Sequence, residues 1–215
     1  MKILIINPNS STEMTKTIDA VARKYASPST RITTVSVPDG PPFIANAYDA
    51  AIQTPKVLSL LERSKNEHDY FILACGLDPG LDACRLVVPN VIGIGEAAIM
   101  TACSVASRFS ILSSTPTTAE LMELRVQHLG IGRNKFLGAQ AVGTSDEIVR
   151  KRFEALDRYY EAGLRCVEEG ARAIVLSCAG MSDIKEDLEQ RLKVPVIAGV
   201  ISAVKMAEQF CKVTR

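Results

Sequence analysis

The amino-acid sequence repeats itself once, at an offset close to half of its 215 residues. LIINPNSSTEM in the first half matches SILSSTPTTAE in the second, and VPNVIGIGEAAIMTA matches VPVIAGVISAVKMA. Between these segments, Cys75 corresponds to Cys178, and the residues around Thr33 correspond to those around Leu137. Because the matched segments follow the same order, the repeat predicts two similar structural units, each about a hundred residues long.

Within each unit, short apolar runs alternate with longer helical patterns, as in a parallel sheet flanked by helices. We predict strands at residues 2–6, 31–37, 70–74, 91–95, 108–112, 136–142, 172–177 and 194–198. We predict helices at residues 11–26, 46–65, 96–107, 117–128, 145–169, 183–192 and 201–212. The expected fold class is α/β, with two similar lobes that each contain a four-stranded, mostly parallel sheet. The first lobe is expected to span residues 1–97 and the second 98–200, with 201–215 packing back on the first.

Charge and composition argue against two kinds of partner. The net charge is +1, no basic tract occurs and the chain has no Trp, so nothing indicates a surface for nucleic acid. No stretch approaches the roughly 20 apolar residues of a membrane helix. The apolar run at the N-terminus ends before Asn7-Pro8, which makes it too short for a signal peptide. We therefore expect a cytoplasmic protein.

The six cysteines are not expected to form disulfides, because thiols stay reduced in the cytoplasm. They do not form a zinc motif either, since no C-x2-C pair occurs and His68 and His128 stand alone in polar surroundings. We therefore expect no metal site.

Two further motifs have structural interpretations. GIGEAA at 93–98 fits the dinucleotide fingerprint G-x-G-x-x-G/A, but it belongs to the fourth strand and lacks the acidic partner that a ribose needs. Its glycines are interpreted as sites of close packing. DPG at 78–80 is interpreted as a turn rather than as the source of a catalytic Asp78.

Cys75 and Cys178 each follow a predicted strand, at the end where parallel α/β sheets bind ligands. One thiol from each lobe is then expected to face a shared cleft, on opposite sides of a small molecule. Inversion of a stereocentre needs such a pair, a base on one face and an acid on the other. A following helix N-terminus is expected to lower the thiol pKa, and nearby backbone N–H groups are expected to stabilise a thiolate or an enolate oxygen. These N–H groups belong to Gly76, Leu77, Ala179 and Gly180.

Four motifs carry a resemblance to a known family: INPNSS at the start, ACGLDPGL around Cys75, VIGIGEAA after it and SCAGM around Cys178. In this order, over about residues 3–207, they resemble the hydantoin racemase branch of the aspartate/glutamate racemase superfamily. The resemblance implies a cofactor-independent racemase, with Cys75 and Cys178 as the two acid/base residues, that assembles as a homo-oligomer. It also implies a substrate pocket that includes Asn7, Phe43, Ile44, Ser113 and Ser114.

The expected substrate is a small cyclic ureide, either a 5-substituted hydantoin or allantoin. The C5 proton of such a neutral ring lies next to a carbonyl, so its enolate is easier to reach than one beside a carboxylate. The motif segments supply Asn, Ser, Thr and backbone groups but no Arg or Lys, which suits a neutral ring. A racemase for aspartate or glutamate, a decarboxylase and a cis–trans isomerase are alternatives within the same fold. A non-catalytic module whose lobes close on a small ligand is the alternative outside enzymes.

Overall fold

Eight strands alternate with helices along residues 1–143 and 152–213, the part of the chain that the computed structural model describes. The strands are β1 (Lys2–Asn7), β2 (Arg31–Ser36), β3 (Tyr70–Leu73), β4 (Val91–Gly93), β5 (Phe109–Ser113), β6 (Phe136–Ala141), β7 (Ile174–Leu176) and β8 (Val196–Ala198). The α-helices are α1 (Thr12–Tyr25), α2 (Ala47–Ser64), α3 (Leu81–Val87), α4 (Ile94–Val105), α5 (Pro116–His128), α6 (Arg152–Glu168), α7 (Lys185–Leu192) and α8 (Gly199–Val213). A 3-10 helix at Ala179–Ile184 precedes α7. None of the described helices combines the length and the apolar character that crossing a bilayer requires.

The strands form two sheets with the same strand order. The first sheet runs β2-β1-β3-β4, the second runs β6-β5-β7-β8, and neighbouring strands are parallel in both. The predicted α/β class with two similar four-stranded lobes is therefore confirmed. The central strands of each sheet are apolar and buried along almost their whole length, as expected when helices cover both faces.

The register brings the ends of the central strands to one edge of each sheet. Ile6 in β1 pairs with Leu73 in β3, two residues before Cys75. In the second sheet Leu112 in β5 pairs with Leu176 in β7, two residues before the second cysteine. Each cysteine thus leaves its sheet at the carboxyl edge, next to a strand that ends at the same level.

The helices that follow β1 and β5 begin with side-chain caps. Ser11 precedes α1 and accepts a hydrogen bond from the backbone N–H of Met14 at 3.1 Å. Thr115 precedes α5 and forms a reciprocal capping box with Thr118, with Pro116 in the first turn. Such caps satisfy N–H groups that the first helical turn otherwise leaves free. They hold the first turn of each helix at the carboxyl edge of its sheet.

The last helix, α8, packs against helices from the first half of the chain. Val204 and Ala207 share one buried apolar cluster with Ile18 of α1 and Ala97 of α4. Removing this apolar surface from water favours the contact between the helices. The division into lobes at residues 97 and 200 stays a prediction.

Three helical segments differ from those predicted from the sequence. Helix α3 is not among the predicted helices, because its seven residues are too few for a clear apolar period and they follow Pro79-Gly80. The helix predicted over 145–169 is present from Arg152 as α6, and its predicted residues 145–151 lie outside the described part of the chain. The first two residues of the helix predicted over 183–192 belong to the end of the 3-10 helix, and the remaining residues form α7.

Candidate active site

Cys75 and Cys178 line the same cavity. Cys75 follows β3 and Cys178 follows β7, and each keeps part of its surface accessible. Of the eleven site residues predicted from the sequence, the structure brings eight to this cavity. They are Phe43, Ile44, Cys75, Gly76, Leu77, Ser114, Cys178 and Ala179.

Five lining residues are missing from the sequence-based prediction. They are Asn9, Met14, Ala74, Thr118 and Ser177. Three of these, Asn9, Met14 and Thr118, belong to the first pair of repeated segments, and the other two directly precede a cysteine. If each copy of the repeat contributes its strand end and the first turn of the next helix to the cavity, the sequence points to these residues.

Two predicted pocket residues lie behind the cavity wall instead of in it. Asn7 and Ser113 are both at 0% exposure and therefore have no surface to offer a substrate. The Asn7 Nδ2 donates a hydrogen bond to Asn9 Oδ1 at 2.8 Å. The Ser113 Oγ donates to Thr118 Oγ1 at 3.1 Å and lies 2.9 Å from Ser177 Oγ. Both residues thus orient polar side chains that do line the cavity.

The two cysteine-bearing loops touch through their backbones. A Cβ at Gly76 would lie only 1.9 Å from the carbonyl oxygen of Ser177, so no other residue fits there without a shift of the main chain. Because each of these residues is next to a cysteine, this contact fixes how closely the two thiol-bearing loops approach.

Burial raises the pKa of the Cys75 thiol to about 12, because the thiolate loses its solvation. The backbone N–H of Leu77 opposes this shift, whereas negative charge on Asp78 and on Cys178 adds to it. The lowering expected from a helix N-terminus is wrong for Cys75, since α3 begins only at Leu81. Among the described residues that line the cavity none carries a charge, so burial dominates.

The sulfur of Cys178 has more hydrogen-bond donors around it than that of Cys75. Burial raises the pKa of Cys178 as well, but the backbone N–H groups of Gly180 and Met181 and the Ser114 hydroxyl oppose the shift. Gly180, the third predicted residue that does not line the cavity, thus contacts the Cys178 thiol through its backbone N–H. Negative charge on Asp183 adds to the upward shift.

We expect Cys178 to react with iodoacetamide faster than Cys75, because only the thiolate is the nucleophile and donors stabilise it at Cys178. Alkylation rates measured at pH 8, with each cysteine resolved by peptide mass spectrometry, compare the thiolate fractions of the two residues. Both cysteines should react more slowly than a free thiol with its pKa of about 8.5, which the unfolded chain supplies as a control. Faster alkylation of Cys75 than of Cys178 contradicts the expectation.

Residues 3–207 match the family described as Asp/Glu/Hydantoin racemase. The chain belongs to this family. Hydantoin racemase from Pseudomonas sp. (strain NS671) is 37% identical over 212 residues, which cover 97% of this chain and 85% of that protein. Hydantoin racemase from Paenarthrobacter aurescens is 34% identical over 221 residues, covering 98% of this chain and 91% of that protein. The predicted resemblance is confirmed.

The solved structures include allantoin racemase from Klebsiella pneumoniae, with a TM-score of 0.94 and 36% identity. The superposition covers 100% of this chain and 89% of that one. Together with the family match, this similarity identifies the chain as an enzyme of the racemase class.

Proposed function

We propose that the protein racemises a 5-substituted hydantoin or allantoin by two-base proton transfer between Cys75 and Cys178. The observation that carries the proposal is that these cysteines, at equivalent positions of two sheets with the same strand order, line one cavity. Relatives described as hydantoin racemases and a similar structure described as an allantoin racemase support the substrate class.

In the proposed reaction one cysteine is a thiolate and the other a thiol. The thiolate takes the C5 proton, and the electrons of the C–H bond move onto the neighbouring carbonyl to form an enolate. The thiol then gives its proton to C5 from the opposite face, which yields the other enantiomer and leaves the second cysteine as thiolate. For the other enantiomer the two residues exchange roles, so no net oxidation or proton loss occurs.

The polarity of the cavity supports a neutral ring as substrate. Within the described part of the chain, the polar side chains of the lining are uncharged and come from Asn9, Ser114, Thr118 and Ser177. Such groups match the amide donors and acceptors of a ureide, whereas a free amino acid brings an ammonium group and a carboxylate whose charges would need partners. Apolar contact for the C5 substituent comes from Met14, Phe43, Ile44 and Leu77.

Proton exchange in D2O tests this proposal. We expect the enzyme to exchange the C5 proton of an enantiopure 5-alkylhydantoin or of allantoin for deuterium, with loss of optical rotation. Aspartate and glutamate, run beside them, should keep their Cα protons because none of the described residues that line the cavity carries a charge. Enzyme-free samples correct for spontaneous racemisation of the ureides. Exchange on an amino acid alone would overturn the substrate class, and exchange on none of them would overturn the racemase reaction.

Two further expectations belong with this proposal. We propose a cytoplasmic location, which suits six cysteines that are all free. The homo-oligomeric assembly implied by the family resemblance stays a prediction, which light scattering on the purified protein measures.

A further inference from the structure

We infer that Asp78 and Arg125 form a positioning pair that holds the loop after Cys75 in place and sets the charge beside it. This inference rests on the proposed role of Cys75 in proton transfer. Arg125 lies on α5, in the second half of the chain, so the pair connects the Cys75 loop (residues 74–80) with the half that carries the other cysteine.

Both the backbone and the carboxylate of Asp78 take part in hydrogen bonds. Its side chain is fully buried, and its backbone N–H donates to the carbonyl oxygen of Cys75 at 2.9 Å. Its Oδ1 accepts from the N–H of Gly95 at 2.9 Å, and its Oδ2 accepts from the N–H of Glu96 at 2.7 Å. The residue also has a φ of 47°, in the left-handed region that Asp tolerates better than most residues. One carboxylate thus ties the Cys75 loop to the first turn of α4.

The glycines of the GIGEAA motif make room for this carboxylate. A Cβ at Gly93 would lie 2.4 Å from the Asp78 carboxyl carbon, and one at Gly95 would lie 2.8 Å from its Oδ2. The Gly95 Cβ would also lie 2.0 Å from the carbonyl oxygen of Gly76. The motif therefore serves close packing against the Cys75 loop rather than against a dinucleotide.

The Arg125 guanidinium places a positive charge next to the buried Asp78 carboxylate. Its Nη2 lies 3.2 Å from Asp78 Oδ2 and 3.1 Å from Glu96 Oε2, and its side chain is only 16% exposed. Arg85 of α3 binds the other side of Glu96 at 2.6 Å. Two acids and two arginines thus form one chain of contacts that begins beside Cys75.

The contacts of this network determine whether Asp78, next to the Cys75 thiol, is charged. Burial raises the pKa of Asp78 to about 7, while Arg125 and the N–H groups of Gly95 and Glu96 pull it down and the Glu96 carboxylate pushes it up. A negative Asp78 in turn raises the pKa of the Cys75 thiol. Removing Arg125 should raise the pKa of Asp78 further and favour its neutral form, so removing either charge should make Cys75 easier to ionise near neutral pH.

Peptide-resolved alkylation of Cys75 tests the pair without requiring turnover. We expect Asp78→Asn to speed alkylation of Cys75 at pH 8 by about tenfold, the size of effect that one nearby charge has, and Arg125→Met to speed it by up to that amount. Arg125→Lys keeps the charge and should stay near the parent protein. The alkylation rate of Cys178 should change less in all three variants, and Lys24→Ala, which breaks an exposed ion pair with Glu186, should change neither rate.

Racemisation by the same variants adds a second readout. We expect Arg125→Met to lower kcat by about tenfold with little change in KM, because the loop and thiol are disturbed but the other cavity walls are intact. An unchanged Cys75 alkylation rate in both Asp78→Asn and Arg125→Met, or rate changes of opposite sign, would overturn the inference. If Asp78→Asn does not fold, the comparison of Arg125→Met with Arg125→Lys decides. Failure of the proposed function is seen separately, as racemisation that survives without Cys75.

Discussion

Racemisation is expected to fall by about 10²–10⁴-fold when either Cys75 or Cys178 is replaced by serine, the effect that one positioned acid or base contributes. A serine hydroxyl neither gives up nor returns a proton near neutral pH as a thiol does. The remaining cysteine in each variant still faces one side of C5. Each single variant should therefore keep solvent exchange of the proton on one enantiomer while it loses inversion.

The two variants should also differ in which enantiomer they exchange. Deuterium incorporation into each enantiomer, followed by NMR beside optical rotation, measures both properties in one sample. Cys211→Ser provides a matched control, because that cysteine is free and lies on α8, outside the residues that line the cavity. Inversion that persists in Cys75→Ser or Cys178→Ser would contradict a two-thiol mechanism.

Gly76→Ala is expected to reduce kcat by at least about 10²-fold, because a displacement near 1 Å between reacting groups costs that much. Its Cβ would meet the Ser177 carbonyl oxygen at 1.9 Å, and that oxygen belongs to the main chain, so the two cysteine loops have to move apart. Such overpacking should also lower the free energy of unfolding, by about 1–3 kcal/mol.

The matched control for that substitution is Gly132→Ala. Gly132 is exposed, and a Cβ added there would meet only the flexible side chain of Asn134. Activity and thermal unfolding of this control should stay close to those of the parent protein. A Gly76→Ala protein with full kcat would mean that the loop contact does not control the spacing of the thiols.

Much of the fold follows from the sequence because each buried parallel strand is a short apolar run with clear ends. The predicted strand over 70–74 and the observed β3 at Tyr70–Leu73 differ by one residue. The repeat further predicted two units of one kind, and both sheets have the same strand order. Helix α3 has no such signal, since seven residues after a Pro-Gly pair are set by the turn and by burial of Leu81 and Cys84.

The candidate site was less predictable, because many of its contacts join distant parts of the chain. The strand-end positions of Cys75 and Cys178 are visible in the sequence. The turn at Asp78 is also visible, and the carbonyl oxygen of Asp78 does accept a hydrogen bond from the N–H of Leu81 at 3.2 Å. That the same carboxylate meets Arg125, 47 residues away, depends on how the halves pack and has no local signal. The family resemblance implies Asn7 and Ser113 in the pocket, whereas both lie buried behind side chains that line it.

Because Gly76 and Ser177 touch through their backbones, the spacing of the thiols and the choice of substituent depend on different parts of the molecule. Thiol spacing depends on main-chain atoms, whereas the wall that would meet the ring substituent of the proposed substrate includes Phe43 and Ile44, from a segment between β2 and α2. Substitutions in that segment are therefore expected to change which substituent is accepted. The spacing of the two thiols would stay the same in each variant.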